Sequence, residues 1–148
     1  MLSGDNMKSS KDLLGSVLKT AQMGQIGIRS VLKNQLRPTL VTALKSQLEE
    51  YDLIEKEALS IAATKGWELE DIDPAIKSMT DIMVKTKLHF GNADSKAAAM
   101  MIHGNTRGMI KGLKNLHHIK NSDQRISLLT QKLIDCEEEN IRQMQGFL

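Results

Sequence analysis

The stretch Leu36-Arg37-Pro38-Thr39-Leu40 joins two long segments in which apolar residues recur every three or four positions. A proline disfavours helical backbone in the residue before it and can itself start a new helix. One helix is therefore predicted to end at about residue 36 and the next to begin at Pro38. Because this connection is so short, the two helices are predicted to lie antiparallel.

The same spacing of apolar residues continues along most of the chain and predicts four long amphipathic helices. Their approximate bounds are 10–36, 38–64, 95–120 and 123–146. Ser9 or Ser10 is predicted to cap the first helix, and Asp94 or Ser95 the third. Lys65-Gly66 is predicted to end the second helix, because a glycine readily adopts the left-handed conformation that follows a helix. Asn121-Ser122-Asp123 is predicted to form the last turn and to cap the fourth helix.

Residues 66–94 form a segment that is longer than neighbouring antiparallel helices need. It opens with an acidic, turn-like run, and a shorter helical pattern follows at Ile76, Met79, Ile82, Met83 and Phe90. Such a segment is long enough to cross over along the length of a bundle. The sequence thus predicts an all-α, up-down four-helix bundle with a long crossover containing a short helix between helices 2 and 3. Residues 1–148 are predicted to form one domain.

Composition narrows the classes of function. The 20 basic and 18 acidic residues leave a formal charge of +2, so no strong field attracts nucleic acid, and we expect none as a partner. No apolar run approaches the roughly 18 residues of a membrane span, and the start of the chain lacks the apolar core of a signal peptide. Cys136 is the only cysteine, which favours a reducing compartment. We therefore expect a cytoplasmic protein with no membrane partner.

Three glycines, Gly104, Gly108 and Gly112, stand four residues apart on one ridge of the third helix. Each costs about 1 kcal/mol of helix propensity relative to alanine, so the ridge needs a compensating role. Close packing against a neighbouring helix is the favoured interpretation, with Gly24 and Gly27 of the first helix as the facing positions. A groove that binds a small ligand beside the glycines is the alternative.

Polar residues recur near the middle of each helix, the level at which bundle proteins hold two-metal centres. They are Gln25, Gln47, Glu50, Glu55, His103, Glu137 and Asn140. Such centres use Glu-x-x-His pairs, yet no Glu or Asp stands three residues before a His in this chain. We therefore predict no functional metal site. The alternative is a divergent site for iron, manganese or zinc that uses Glu50, His103 and Glu137. A hydrogen-bonded polar layer that fixes helix register is the favoured interpretation.

Three stretches resemble a group of uncharacterised bacterial ferritin-like four-helix bundle proteins. They are Lys19 to Gly24, Ala98 to Gly108 and Glu137 to Ile141. The resemblance implies a ferritin-like fold and no established activity. In that group the third helix often has a His-x-x-Glu motif just before a Met-Met pair. Lys96 and Ala99 occupy those positions here, which weakens the expectation of metal ligands.

The resulting functional expectation is a non-enzymatic interaction or structural protein without an intact di-iron site. We expect it to form a homo-oligomer, and the sequence identifies no particular protein partner. The alternative is a divergent metal-binding or oxidative-stress protein of the ferritin-like group.

Overall fold

The computed structural model describes residues 2–119 and 122–148, and these residues form five helices and no strand. The helices are α1 (Leu2–Leu32), α2 (Pro38–Lys65), α3 (Pro74–Leu88), α4 (Ala93–His118) and α5 (Gln124–Gln145). The prediction of an all-α chain without a sheet is confirmed for these residues. α1, α2, α4 and α5 are the long helices, and α3 is the short one.

Contacts at the two ends of α4 show that it runs antiparallel to α1. Near the C-terminal end of α4, Asn115 Nδ2 donates to Ser16 Oγ, near the middle of α1, at 2.9 Å. At the other end, Asp94 pairs with Arg37, just beyond the end of α1, at 2.8 Å. α1 also packs along α2, to which the short connection at Pro38 joins it.

α5 runs antiparallel to α2. Lys132, in the first half of α5, pairs with Glu57 in the second half of α2 at 3.5 Å. Gln47 Nε2, in the first half of α2, donates to Gln143 Oε1 near the end of α5 at 2.7 Å. α4 and α5 pack along each other as α1 and α2 do. Because α2 and α4 run in the same direction, the chain has to return along the bundle between them.

α3 and the residues before it make that return. Gln22 of α1 accepts a hydrogen bond from the amide of Ile72 at 3.3 Å, and Lys33, after α1, pairs with Asp81 of α3 at 2.6 Å. α3 therefore runs parallel to α1, and it packs against α1 and α4. It lies within residues 66–94, where the sequence predicts a crossover with a short helix.

The first helix starts earlier and ends earlier than its spacing predicts. It begins at Leu2 rather than near residue 10, and the Ser10 hydroxyl accepts from the amide of Asp123 at 3.2 Å instead of capping its own helix. It ends at Leu32 because Asn34 Nδ2 donates to the carbonyls of Ser30 and Val31 at 3.1 and 3.3 Å. These side-chain contacts satisfy carbonyl groups that the next turn would otherwise bind.

The start of α4 also differs in its cap. The N-cap is Asn92, in the left-handed conformation with φ of 50°, rather than Asp94 or Ser95. Asp94 instead accepts from the backbone amide and the Nε of Arg37, at 3.0 and 2.8 Å. The carboxylate thus ties the beginning of α4 to the α1–α2 connection.

Two predicted helix boundaries are found as expected. Gly66 follows α2 with φ of 68°, and its amide donates to the last carbonyls of the helix. Asp123 caps α5 by accepting from the amide of Arg125 at 2.8 Å. The predicted end of the third helix at Lys120 and the turn residue Asn121 lie outside the described residues.

The core fills the space between the long helices and is almost entirely aliphatic. Its fully buried large side chains come from α1, α2 and α5: Leu13, Leu14, Leu18, Ile28, Leu40, Leu44, Tyr51, Ile54, Ile61, Ile126, Leu129 and Met144. α4 contributes small residues such as Ala97 and Ala98, which bring it close to its neighbours. Within the described part of the chain, no helix is both long enough and apolar enough to cross a bilayer.

Candidate functional site

The structure separates the polar residues that the sequence places at the middle of the helices. Gln25, Gln47, Glu137 and Asn140 are buried. Glu55 is half-buried and accepts from Gln25 Nε2 at 2.8 Å. Glu50 and His103, in contrast, are exposed. Only part of the predicted polar level therefore faces the interior.

Four polar side chains meet in the interior, and we call them the buried polar cluster: Tyr51 of α2, Asn105 of α4, and Glu137 and Asn140 of α5. The Tyr51 hydroxyl donates to Asn105 Oδ1 at 2.8 Å, and Asn140 Nδ2 lies 3.5 Å from the Tyr51 oxygen as a donor. All four residues are almost completely buried. The cluster thus links three of the four long helices through hydrogen bonds.

Burial sets the protonation state of the cluster. Glu137 is 2% exposed, and loss of hydration raises the pKa of its carboxyl to about 8, an effect that the nearby Tyr51 hydroxyl partly offsets. Burial, reinforced by the adjacent Glu137 carboxyl, also raises the pKa of Tyr51. The glutamate is therefore mainly neutral at pH 7, and the cluster carries little charge.

Two buried atoms of the cluster have no hydrogen-bond partner among the described residues. They are Glu137 Oε2 and Asn105 Nδ2, a carboxyl oxygen and an amide nitrogen. A buried polar group left without a partner costs about 1–3 kcal/mol, so most native proteins satisfy such groups. A protonated Glu137 carries its own donor, which reduces the cost relative to a buried carboxylate.

Cys136 lies beside the cluster and faces α2. Its Sγ donates to Glu50 Oε2 at 2.9 Å. Burial and the Glu50 carboxylate raise the pKa of the thiol. The reactive form of a cysteine is the thiolate, which needs a nearby cation or helix N-terminus. Cys136 therefore has the environment of a packing residue rather than that of a nucleophile.

The three candidate metal ligands do not converge. Glu137 is buried, whereas Glu50 is bound by Cys136 at the surface and His103 points to solvent. Among residues 2–119 and 122–148, no three His, Cys, Asp or Glu side chains lie close enough together to hold a metal ion. A two-metal centre needs carboxylates from four helices and two histidines. One carboxyl beside a tyrosine and two amides does not fit that ligand set.

The predicted packing glycines differ in what surrounds them. A Cβ on Gly108 would lie 3.0 Å from Glu137 Oε1, and one on Gly112 would lie 2.8 Å from Ile134 Cγ1. At Gly104, by comparison, no atom lies within 4 Å of the Cβ position. Gly108 and Gly112 therefore both lie against α5, and Gly108 also lies against α1, where Thr20 Cγ2 rather than a glycine is 3.1 Å from the Cβ position.

The α1 glycines lie against other partners. A Cβ on Gly24 would stand 2.7 Å from the ring of Tyr51, whereas one on Gly27 would be 3.8 Å from Met101 Cε, an ordinary contact distance. Gly24 thus makes room for the aromatic ring that carries the hydroxyl of the buried polar cluster. Tyr51 and Glu137 each rest on a glycine of another helix.

Sequence reasoning missed two members of the cluster. Tyr51 follows Leu44 and Leu48 at helical spacing, so its position predicts only an apolar stripe residue, and Asn105 is not among the polar residues predicted at the middle of the helices. A signal existed for Asn105, which follows Met101 by four residues and precedes Gly112 by seven, and so shares their helix face. The hydroxyl of Tyr51 gives no such signal, because a tyrosine at a core position serves equally well as an apolar residue.

Comparison of the chain with protein-family models, with curated proteins and with solved structures finds no match. The site is a buried, nearly uncharged set of four polar side chains in which Tyr51 is hydrogen-bonded to Asn105 and Asn140, and the described residues contain no group of ligands that could hold a metal ion.

Proposed function

We propose that this chain is a ferritin-like four-helix bundle of the bacterial group that it resembles, and that it acts through protein association rather than through catalysis. The topology supports the first part of the proposal. Two antiparallel pairs, α1 with α2 and α4 with α5, are joined by a crossover that runs along α1. A ferritin-like bundle has its one long connection at the same place in the helix order.

One observation supports the proposal that this protein does not act as a catalyst. At the middle of the core, where bundle proteins of this type hold their metal ligands, the chain places a single carboxyl that burial keeps mainly protonated. Its neighbours are a tyrosine and two amides, all buried and joined by hydrogen bonds. Such a layer suits the alignment of helices better than the binding of a substrate, because no solvent-exposed group of the cluster can reach one.

The proposal includes self-association in the cytoplasm. Several large apolar side chains are exposed, among them Leu53 and Met79 on helices and Phe90 in the turn after α3. A core whose α4 contribution is mostly small residues buries limited apolar area per helix, and association with another chain adds to it. The cytoplasmic location rests on the single cysteine and on the absence of a spanning helix in the described residues.

Two measurements on untagged, full-length protein test this function. Light scattering at micromolar concentrations is expected to give the mass of at least two chains, and a clean monomer would overturn the homo-oligomer. Elemental analysis is expected to give far less than one iron, manganese or zinc ion per chain. Near-stoichiometric metal that is lost in Glu137→Ala, and retained in the exposed control Glu139→Ala, would favour the metal-binding alternative instead.

A further inference from the structure

α3 has two apolar faces, although it packs against the rest of the molecule through only one. Thr80, Val84 and Leu88 are buried against α1 and α4. On the other side, Met79 and Ile82 are each 68% exposed, Met83 is 46% exposed, and Phe90, in the turn that follows α3, is 78% exposed. We call these four residues the α3 patch.

The α3 patch is continuous rather than scattered. Ile82 and Met83 follow Met79 by three and four residues, which places these three on one stripe along α3, and Phe90 follows Met83 by seven residues in the turn beyond the helix. Ala75 and Thr86 fall on the same stripe and are also exposed. No charged residue belongs to it, because Lys77, Asp81 and Lys85 point to other sides of α3 and Lys87 lies at the edge.

We propose that a second copy of this chain covers the α3 patch, and that the two copies pair through α3 about a two-fold axis. This inference rests on the homo-oligomer of the proposed function and names its surface. An uncharged stripe suits self-pairing, since a two-fold axis brings each surface against itself and would oppose like charges. Flat apolar patches of several hundred Å² on a monomer commonly mark such contacts.

The exposed apolar area of the α3 patch can be compared with the apolar area that a stable dimer buries. A stable interface buries roughly 800 Å² per partner and is about 65% apolar in homodimers, so each copy has to supply about 500 Å² of apolar area. An aromatic side chain buries roughly 150–250 Å², so Phe90 at its 78% exposure offers on the order of 150 Å² of this area, and Met79, Ile82 and Met83 add to it. The polar residues at the edges of α3 would form the rim.

An antiparallel pairing of the two α3 helices gives a definite set of contacts. With the axis between Met83 and Thr86, Met79 of one copy lies opposite Phe90 of the second copy, and Met83 lies opposite Thr86. Methionine sulfur packs favourably against an aromatic ring. Ile82 lies near the centre of this arrangement, where side chains contribute most to affinity.

Sedimentation equilibrium of the full chain from about 1 to 100 μM tests the pairing, because homodimers of moderate affinity dissociate within that concentration range. The double variant Ile82→Lys/Phe90→Lys is expected to raise the dissociation constant at least a hundredfold while circular dichroism stays unchanged, since both side chains are exposed. The matched control Leu128→Lys alters a 62% exposed leucine on α5 and is expected to leave the dissociation constant unchanged.

A cross-linking measurement fixes the register. In a Cys136→Ser background, the pair Met83→Cys/Thr86→Cys is expected to form disulfide-linked dimers on mild oxidation, whereas Leu128→Cys/Gln131→Cys is not. A wild-type oligomer that the double lysine variant leaves intact would overturn the α3 patch as the interface, while the homo-oligomer would stand. A wild-type monomer throughout the concentration range would overturn both.

Discussion

Ionisation of Glu137 should make the stability of this protein fall as the pH rises. The carboxyl is 2% exposed, and burial raises its pKa from an ordinary 4.5 to about 8. Between these two values the folded protein binds a proton that the unfolded chain has released. The free energy of unfolding therefore decreases with increasing pH through this interval and levels off above about pH 8.

The magnitude follows from the separation of the two pKa values. A difference of about 3.5 pH units at 1.36 kcal/mol per unit corresponds to a loss of about 5 kcal/mol between pH 4.5 and pH 8. This is an upper limit, since water penetration and relaxation around a buried carboxylate reduce the penalty. A typical domain is stable by about 5–15 kcal/mol, so a large part of the stability depends on this proton.

Urea denaturation followed by circular dichroism, at intervals from pH 5 to pH 9, measures the effect in wild type and in Glu137→Gln. The glutamine is neutral at every pH and close in shape to the protonated acid. The difference in unfolding free energy, variant minus wild type, is expected to grow by several kcal/mol from pH 5 to pH 8, since the other titrating groups cancel in the difference.

Glu139→Gln is the matched control, because Glu139 is an exposed glutamate on the same helix. Its difference from wild type is expected to stay within about 1 kcal/mol across this range. If the Glu137→Gln difference were equally flat, Glu137 would be ionised in the folded protein at neutral pH. The assignment of a neutral buried carboxyl would then be wrong.

Two further substitutions test local packing and capping by denaturant midpoint. Gly24→Ala is expected to lower the free energy of unfolding by about 1–3 kcal/mol, because the new Cβ would stand 2.7 Å from the Tyr51 ring. Gly104→Ala is expected to raise it by about 0.5–1 kcal/mol, because no atom lies within 4 Å of the Cβ position and alanine favours a helix. Equal effects of the two substitutions would contradict these contacts. Asp123→Ala is expected to cost about 1–2 kcal/mol, and Asp123→Asn less, because asparagine keeps the N-cap bond and loses only the 2.8 Å ion pair with Lys65. An asparagine variant as costly as the alanine variant would show that the ion pair matters more than the cap. The pKa of Asp123 is lowered mainly by Lys65, so its contribution should be lost as the pH falls below about 4.

The helices could be predicted from the sequence because their signals are local. Pro38 begins a helix because its ring fixes φ near the helical value, and Gly66 ends one because glycine readily adopts positive φ. The predicted helix boundaries are wrong where a side chain binds a residue that is distant in the chain. Ser10 has the chemistry of an N-cap, but its hydroxyl binds the amide of Asp123, more than a hundred residues away in the chain. No local pattern contains that contact.

The buried polar cluster was predictable only in part for the same reason. Glu137 and Asn140 lie on the apolar stripe of the last helix, so their burial follows from spacing. His103 lies at the edge of its stripe, and whether such a residue faces in or out depends on how the helix is rotated against its neighbours. The structure turns it to solvent and turns Asn105 inward.

The hydrogen bonds of the buried polar cluster favour a single register of the helices. Tyr51 rests on Gly24, and Glu137 rests on Gly108, so two helices each accept a large polar side chain at a position without a Cβ. A shift of α4 by one helical turn, about 5.4 Å, would bring Gly104 or Gly112 to the place of Gly108, so the glycines alone admit such a shift. The shift would, however, separate the Tyr51 hydroxyl from Asn105 Oδ1, which would lose its buried donor. An aliphatic core alone tolerates such shifts, because its contacts are not directional. The hydrogen bond between Tyr51 and Asn105 therefore makes neighbouring registers less stable.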